Sequence, residues 1–208
     1  MESSITRAAN CVEKYRPVIG MADKSFKIGS YLGLLVLQFT TQGATGRIAQ
    51  LASKLSSARF VYWGFFLFQD AAQLHKNYSE KVGSGVAKEG KQWFSFGLDV
   101  SILVFEISFV SSALLNLIPA ARNIGSKVGL PLPHLILLIS AGDIVQTWRE
   151  QKSDTTSRCL TYGDAAAEIV CTSAEIFVGD GVVSATTGVI SGACNFAGNF
   201  KRTWALAA

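Results

Sequence analysis

Uncharged apolar runs alternate with short polar stretches along this chain. The first such run, "IGSYLGLLVLQFTTQGATG", extends from Ile28 to Gly46, 19 residues between Lys27 and Arg47. That is about the length of a helix that crosses a bilayer core. Its tail (Thr40, Thr41, Gln42) is polar, which makes it a marginal span. Upstream, residues 4–21 suit a polar amphipathic helix interrupted near Pro17.

Residues 47–58 carry a different pattern. On a helical wheel Ile48, Leu51, Ala52, Leu55 and, further on, Tyr62 fall on one side at i, i+3, i+4 spacing. Arg47, Gln50, Ser53, Lys54 and Ser57 fall on the other. Arg59 lands on the apolar side and ends the clean pattern near Ala58. A cationic face opposite an apolar face suits a helix lying among lipid headgroups. A core-facing helix of a bundle shows the same periodicity. Phe60 to Phe68, with Tyr62, Trp63, Phe65 and Phe66, is apolar on every face but only nine residues long. Such a helix rises about 14 Å against a hydrocarbon core of roughly 30 Å. It reads as a wedge in one leaflet or as part of a bundle interior.

Residues 70–91 are polar and read as a loop, or a short helix and a linker. Residues 93–121 form the longest apolar run, ended by Pro119, and residues 128–145 a shorter one with two prolines at its start. Residues 146–163 read as a polar loop. A helix is expected from Asp164, then an uncharged run of 20 residues, Gly181 to Phe200, rich in small residues. Gly29/Gly33 and Gly188/Gly192 are GxxxG pairs, and Ser184 extends the second. Small residues four apart share one helix face and let two backbones approach. These positions are read as helix-packing sites, within the chain or between copies.

The pattern predicts an all-α fold of five or six helices. This is a membrane-associated helical bundle with amphipathic helices and one to four membrane-embedded helices. Residues 1–91 form a basic N-terminal amphipathic-helix region, 92–163 an apolar hairpin with a polar loop, and 164–208 a C-terminal helix and membrane span.

Composition agrees. Apolar residues make up 49% of the 208 and charged residues 16%, below the roughly 25% of soluble domains. The mean hydropathy is +0.31. Charge is uneven: residues 1–91 hold twelve Lys/Arg and six Asp/Glu, residues 92–208 seven and nine. A basic half points to an anionic partner. Aromatic residues do not interleave with the basic ones, so an anionic lipid membrane is expected and nucleic acid is not. The first 27 residues are charged throughout, unlike a cleavable signal peptide.

Candidate chemistry changes little. Cys11, Cys159, Cys171 and Cys194 are too far apart for a zinc or redox motif and read as reduced thiols. The two histidines, His75 and His134, are distant in sequence, and no nucleotide-binding or hydrolase motif is present. No catalytic residue, metal site or cofactor is expected, and the chain is not read as an enzyme. Asp99 and Glu106, and Glu168 and Glu175, are seven apart, which places each pair on one helix face. With Asp143 they are expected to meet water or headgroups. A polar path lined by Asp99 and Glu106 is the alternative, and would make a channel for small metabolites.

Three blocks resemble the peroxin-11 family of peroxisomal membrane proteins. "DKSFKIGSYLGLLV", residues 23–36, looks like the family's Asp-Lys opening, basic residue and Tyr-containing helix. Residues 47–74 are similar to its amphipathic "Leu…Leu-Ser-x-x-Arg" segment through Leu51, Leu55, Ser56 and Arg59. Residues 164–204 look like its acid-headed helix and Gly/Ser-rich membrane helix ending near a Trp. The blocks cover less than half of the chain. The resemblance implies a peroxisomal or glycosomal membrane protein with both termini cytosolic. It also implies membrane elongation before division, self-association as a homo-oligomer, and work alongside the fission machinery. Some members of the family are thought to form small-metabolite pores. A bacterial scaffold protein of a host-derived compartment membrane would show similar apolar hairpins.

Overall fold

A computed structural model of the protein describes residues 4–40, 46–83, 90–149, 154–179 and 181–207. The polar tail at Thr41 and Gln42, residues 84–89 of the expected linker and residues 150–153 of the expected loop lie outside the described residues. The described residues are 95% helical and contain no strand.

The helices are α1 (Ser4–Gln38), α2 (Arg47–Ala58), α3 (Phe60–Gly83), α4 (Gly90–Leu117), α5 (Arg122–Gly129), α6 (Leu132–Arg149), α7 (Thr155–Ser173) and α8 (Gly181–Ala207). A 3-10 turn, Pro119–Ala121, separates α4 from α5, and a π-helical turn, Ala174–Val178, closes α7. Gly179 then takes a left-handed φ of 67°, and its amide bonds the Ala174 carbonyl at 2.7 Å. Glycine carries that conformation without a Cβ clash.

Several boundaries differ from the sequence expectation. α1 runs unbroken through Pro17, although proline cannot donate the amide hydrogen bond of a helix interior. Of the two readings of the polar stretch after Asp70, the helical one holds as far as Gly83, as a continuation of α3. The expected loop 146–163 is helical at both ends. Asp154 supplies the start signal of α7, its carboxylate accepting from the Ser157 amide at 3.0 Å.

Composition divides the chain in order along its length, whereas packing divides it into two compact units made of distant segments. One unit holds residues 1–16 and 60–135, the other 17–59 and 136–208. In the first, Trp63 of α3 meets Phe105 and Phe109 of α4 at centroid distances of 5.1 and 5.7 Å. Edge-on aromatic contacts of this kind join helices firmly. α5 folds back on α4: a Cβ at Gly125 would lie 2.6 Å from Asn116 Oδ1, and one at Gly129 2.9 Å from Ser112 Oγ. The Ser112 hydroxyl donates to the Gly125 carbonyl at 2.8 Å.

In the second unit α2 runs antiparallel to α1. The Ser30 hydroxyl donates to the Ala52 carbonyl at 3.0 Å, and a Cβ at Gly33 or Gly29 would meet Ala52 Cβ at 3.0 Å or Leu55 Cδ1 at 3.1 Å. α8 lies antiparallel to both α1 and α7. A Cβ at Gly188 would fall 2.6 Å from the Tyr31 ring, and one at Gly192 2.7 Å from Ile28 Cγ1. Gly188→Ala should therefore destabilise the chain by about 2 kcal/mol, because a rigid ring has nowhere to move. Gly198→Ala in the same helix has nothing within 4 Å and should stabilise by about 0.5–1 kcal/mol. Denaturation of the detergent-solubilised chain, followed by circular dichroism, checks both signs. Equal effects at the two positions would mean α1 and α8 do not meet at Gly188.

Candidate functional site

The interior of the second unit is polar. α1 carries Asp23, Lys27 and Tyr31 along one stripe, four residues apart, with Lys27 and Tyr31 toward acids at α7 and its closing turn and Asp23 toward Arg59. Asp23 is fully buried. Arg59 Nε donates to its Oδ1 at 2.8 Å and Nη2 to its Oδ2 at 3.2 Å, with Lys24 Nζ 3.4 Å away. Burial would push the Asp23 carboxyl up, but the charges of Lys24 and Arg59 and their hydrogen bonds hold it below its ordinary value.

One turn on, Lys27 Nζ pairs with Glu168 and donates to Ser191 Oγ at 2.7 Å. Ser191 Oγ lies 2.6 Å from both Glu168 Oε2 and Asp164 Oδ1, and the Asn195 amide donates to Asp164 Oδ2 at 2.7 Å. Burial raises the Glu168 carboxyl, yet the charge and hydrogen bond of Lys27, with the Ser191 hydroxyl, pull it down to about 2. A further turn on, the Tyr31 and Ser184 hydroxyls donate to Glu175 Oε1 at 3.3 and 2.7 Å. Three polar clusters thus follow one another at four-residue intervals along α1.

Many large apolar side chains are exposed among the described residues. Leu32, Val36, Val182 and Ile190 on α1 and α8, and Val104, Ile107 and Leu138 on α4 and α6, are all more than a third exposed. Two segments, Trp93–Leu117 and Pro119–Arg149, are long and apolar enough to cross a membrane, with 22% and 11% of their most apolar windows buried. A soluble core helix would be mostly buried, so this low burial favours membrane association.

The expected membrane-binding residues divide. Arg47, Leu51 and Lys54 face outward, as does Phe65. Ile48 and Leu55 turn toward Gly33 and Gly29 of α1 instead. Arg59, expected among headgroups, is turned inward by its pair with Asp23. Phe66 is buried under the Arg16 guanidinium, 5.2 Å from its ring centroid, and Trp63 packs on α4. Tyr62 is half-buried. The packing residues Gly29, Gly33, Gly188 and Gly192 all join helices within the chain, and Ser184 bonds Glu175.

The acids divide: Asp99 and Glu175 are exposed, as expected, and Asp143 is half-buried, whereas Glu168 points into the polar interior. Glu106 of α4 is 1% exposed, and its Oε2 has no hydrogen-bond partner among the described residues. It lies beside Asp70, which Arg16 holds with both Nη atoms. Sequence reading missed the Lys27–Glu168 and Tyr31–Glu175 pairs. Their signal was the matching fourfold stripe of α1. It also missed a third GxxxG pair, Gly125/Gly129. Among the described residues no cluster of His, Cys, Asp or Glu suits a metal ion. Cys159, Cys171 and Cys194 are free thiols.

No protein-family model, curated protein or solved structure matches the chain.

Proposed function

We propose that this chain is an organelle-membrane protein that curves and elongates the membrane of a peroxisome or glycosome before division. One observation carries the reading. The three separated blocks that resemble the peroxin-11 family interlock residue by residue: Asp23 with Arg59, Lys27 with Glu168, and Tyr31 with Glu175. An interlock of this kind gives the blocks a shared structural reason to occur together. The outward residues Arg47, Leu51 and Lys54 of α2 supply cations and an apolar side chain for one leaflet. Adding area to one leaflet bends the bilayer. Self-association and contact with fission machinery belong to the same reading.

Full-length protein should tubulate vesicles containing phosphatidylserine and leave phosphatidylcholine vesicles round. Arg47→Gln with Lys54→Gln should reduce tubulation severalfold, each cation being worth about 1 kcal/mol at an anionic surface. Tubulation indifferent to lipid charge and to both substitutions would refute this reading.

A second reading, a small-metabolite channel, is favoured by Glu106, an acid buried in an apolar helix beside Asp70 and Arg16. Loss of solute flux on Glu106→Gln in reconstituted vesicles would support it over the first.

A further inference from the structure

We infer that the turn joining α4 to α6 is a second lipid-binding surface, one that takes the acidic headgroups of the leaflet on which it lies. The inference rests on the reading of the chain as a membrane protein, but uses different residues. Trp93–Leu117 and Pro119–Arg149 are long and apolar enough to cross a membrane, and α5 lies at the start of the second, between α4 and the apolar run of α6. Between Glu106 and Asp143 the chain contains no acid, while Arg122 and Lys127 sit at the turn. Both are exposed, and no ion pair engages either among the described residues.

The packing of α5 decides which way Lys127 faces, and Arg122 is exposed at the first position of the helix. Gly125 and Gly129 form the side of α5 that closes on Ser112 and Asn116 of α4. Ile124 and Lys127, three apart, share the opposite side, and Ile124 is 57% exposed. Ile118 and Leu130 flank the turn at 54% and 70% exposure. Water is a poor partner for three large aliphatic side chains, and hydrocarbon alone is a poor partner for two cations. An acidic headgroup region satisfies both, with the aliphatic residues below the phosphates and the cations beside them.

The test uses the full-length protein in phosphatidylcholine vesicles with a small fraction of photoactivatable phosphatidylserine or, in parallel, photoactivatable phosphatidylcholine. Crosslinks are mapped by peptide mass spectrometry. Residues 117–130 should capture phosphatidylserine at least about fivefold over phosphatidylcholine, the factor expected of one cation near an anionic surface. Arg122→Gln with Lys127→Gln should abolish that preference, and Arg47→Gln with Lys54→Gln should leave it intact. Equal capture of the two lipids, or a preference that survives the first pair of substitutions, overturns the inference. A preference here in a protein that does not tubulate vesicles would uphold the surface and count against the proposed function alone.

Discussion

Arg59→Ala should destabilise the protein by about 3–4 kcal/mol, the largest single-residue effect expected in the chain. The reason lies with the partner rather than with the arginine. Asp23 has no exposed surface, and Arg59 makes two hydrogen bonds to it while itself being 14% exposed. Removing the guanidinium strands a buried carboxylate with only Lys24 nearby, at 3.4 Å. Replacing both members with apolar residues of similar volume, Asp23→Leu with Arg59→Met, should recover most of the loss, since no charge is then left unpaired. Unfolding of the three variants in detergent, followed by helical signal, makes the comparison. A single substitution that costs less than about 1 kcal/mol would mean that water reaches Asp23.

Acid should weaken the second unit through Glu168. Its folded carboxyl sits at about 2 against an ordinary 4.5. A lowered folded value means stability that is complete above pH 4.5 and is lost as pH falls toward 2. The shift corresponds to about 3 kcal/mol for this one group. Asp23, lowered in the same direction, adds to the slope. Unfolding measured at steps from pH 6 to pH 2.5 should show the decline, and Glu168→Gln should flatten it by roughly one proton's worth. If the slopes of the two proteins coincide, the Lys27–Glu168 pair is not formed in solution.

Much of the fold was legible in the sequence. The stop at Pro119, the long run of α4 and the small-residue character of α8 all follow from composition and punctuation. Pro17 misled, because a missing amide predicts a break and a long helix can run through one unmade bond. The stretch after Asp70 left a loop and a short helix with a linker both open, because polar composition marks solvent exposure, not the end of a helix. The site was visible only in fragments. Arg59 on the apolar side of its wheel was a true signal, and its meaning was a buried partner rather than the end of a lipid-facing surface. Seven-residue spacing showed that Glu168 and Glu175 share a face. It could not show that the face opposes Lys27 and Tyr31, since pairings across more than 140 residues leave no local trace.

The Lys27–Glu168 pair also orders biosynthesis. Its members are 141 residues apart, and Ser191, the other partner of Lys27, is 164 away. At about 5–20 residues per second, the ribosome needs roughly 7–30 s to make Glu168 after Lys27. Throughout that interval α1 carries Lys27 and Tyr31 without α7 or α8 to receive them. The second unit therefore closes only when nearly the whole chain has been translated, and a nascent chain stalled before α7 presents quality control with a charged helix that has no place in a bilayer.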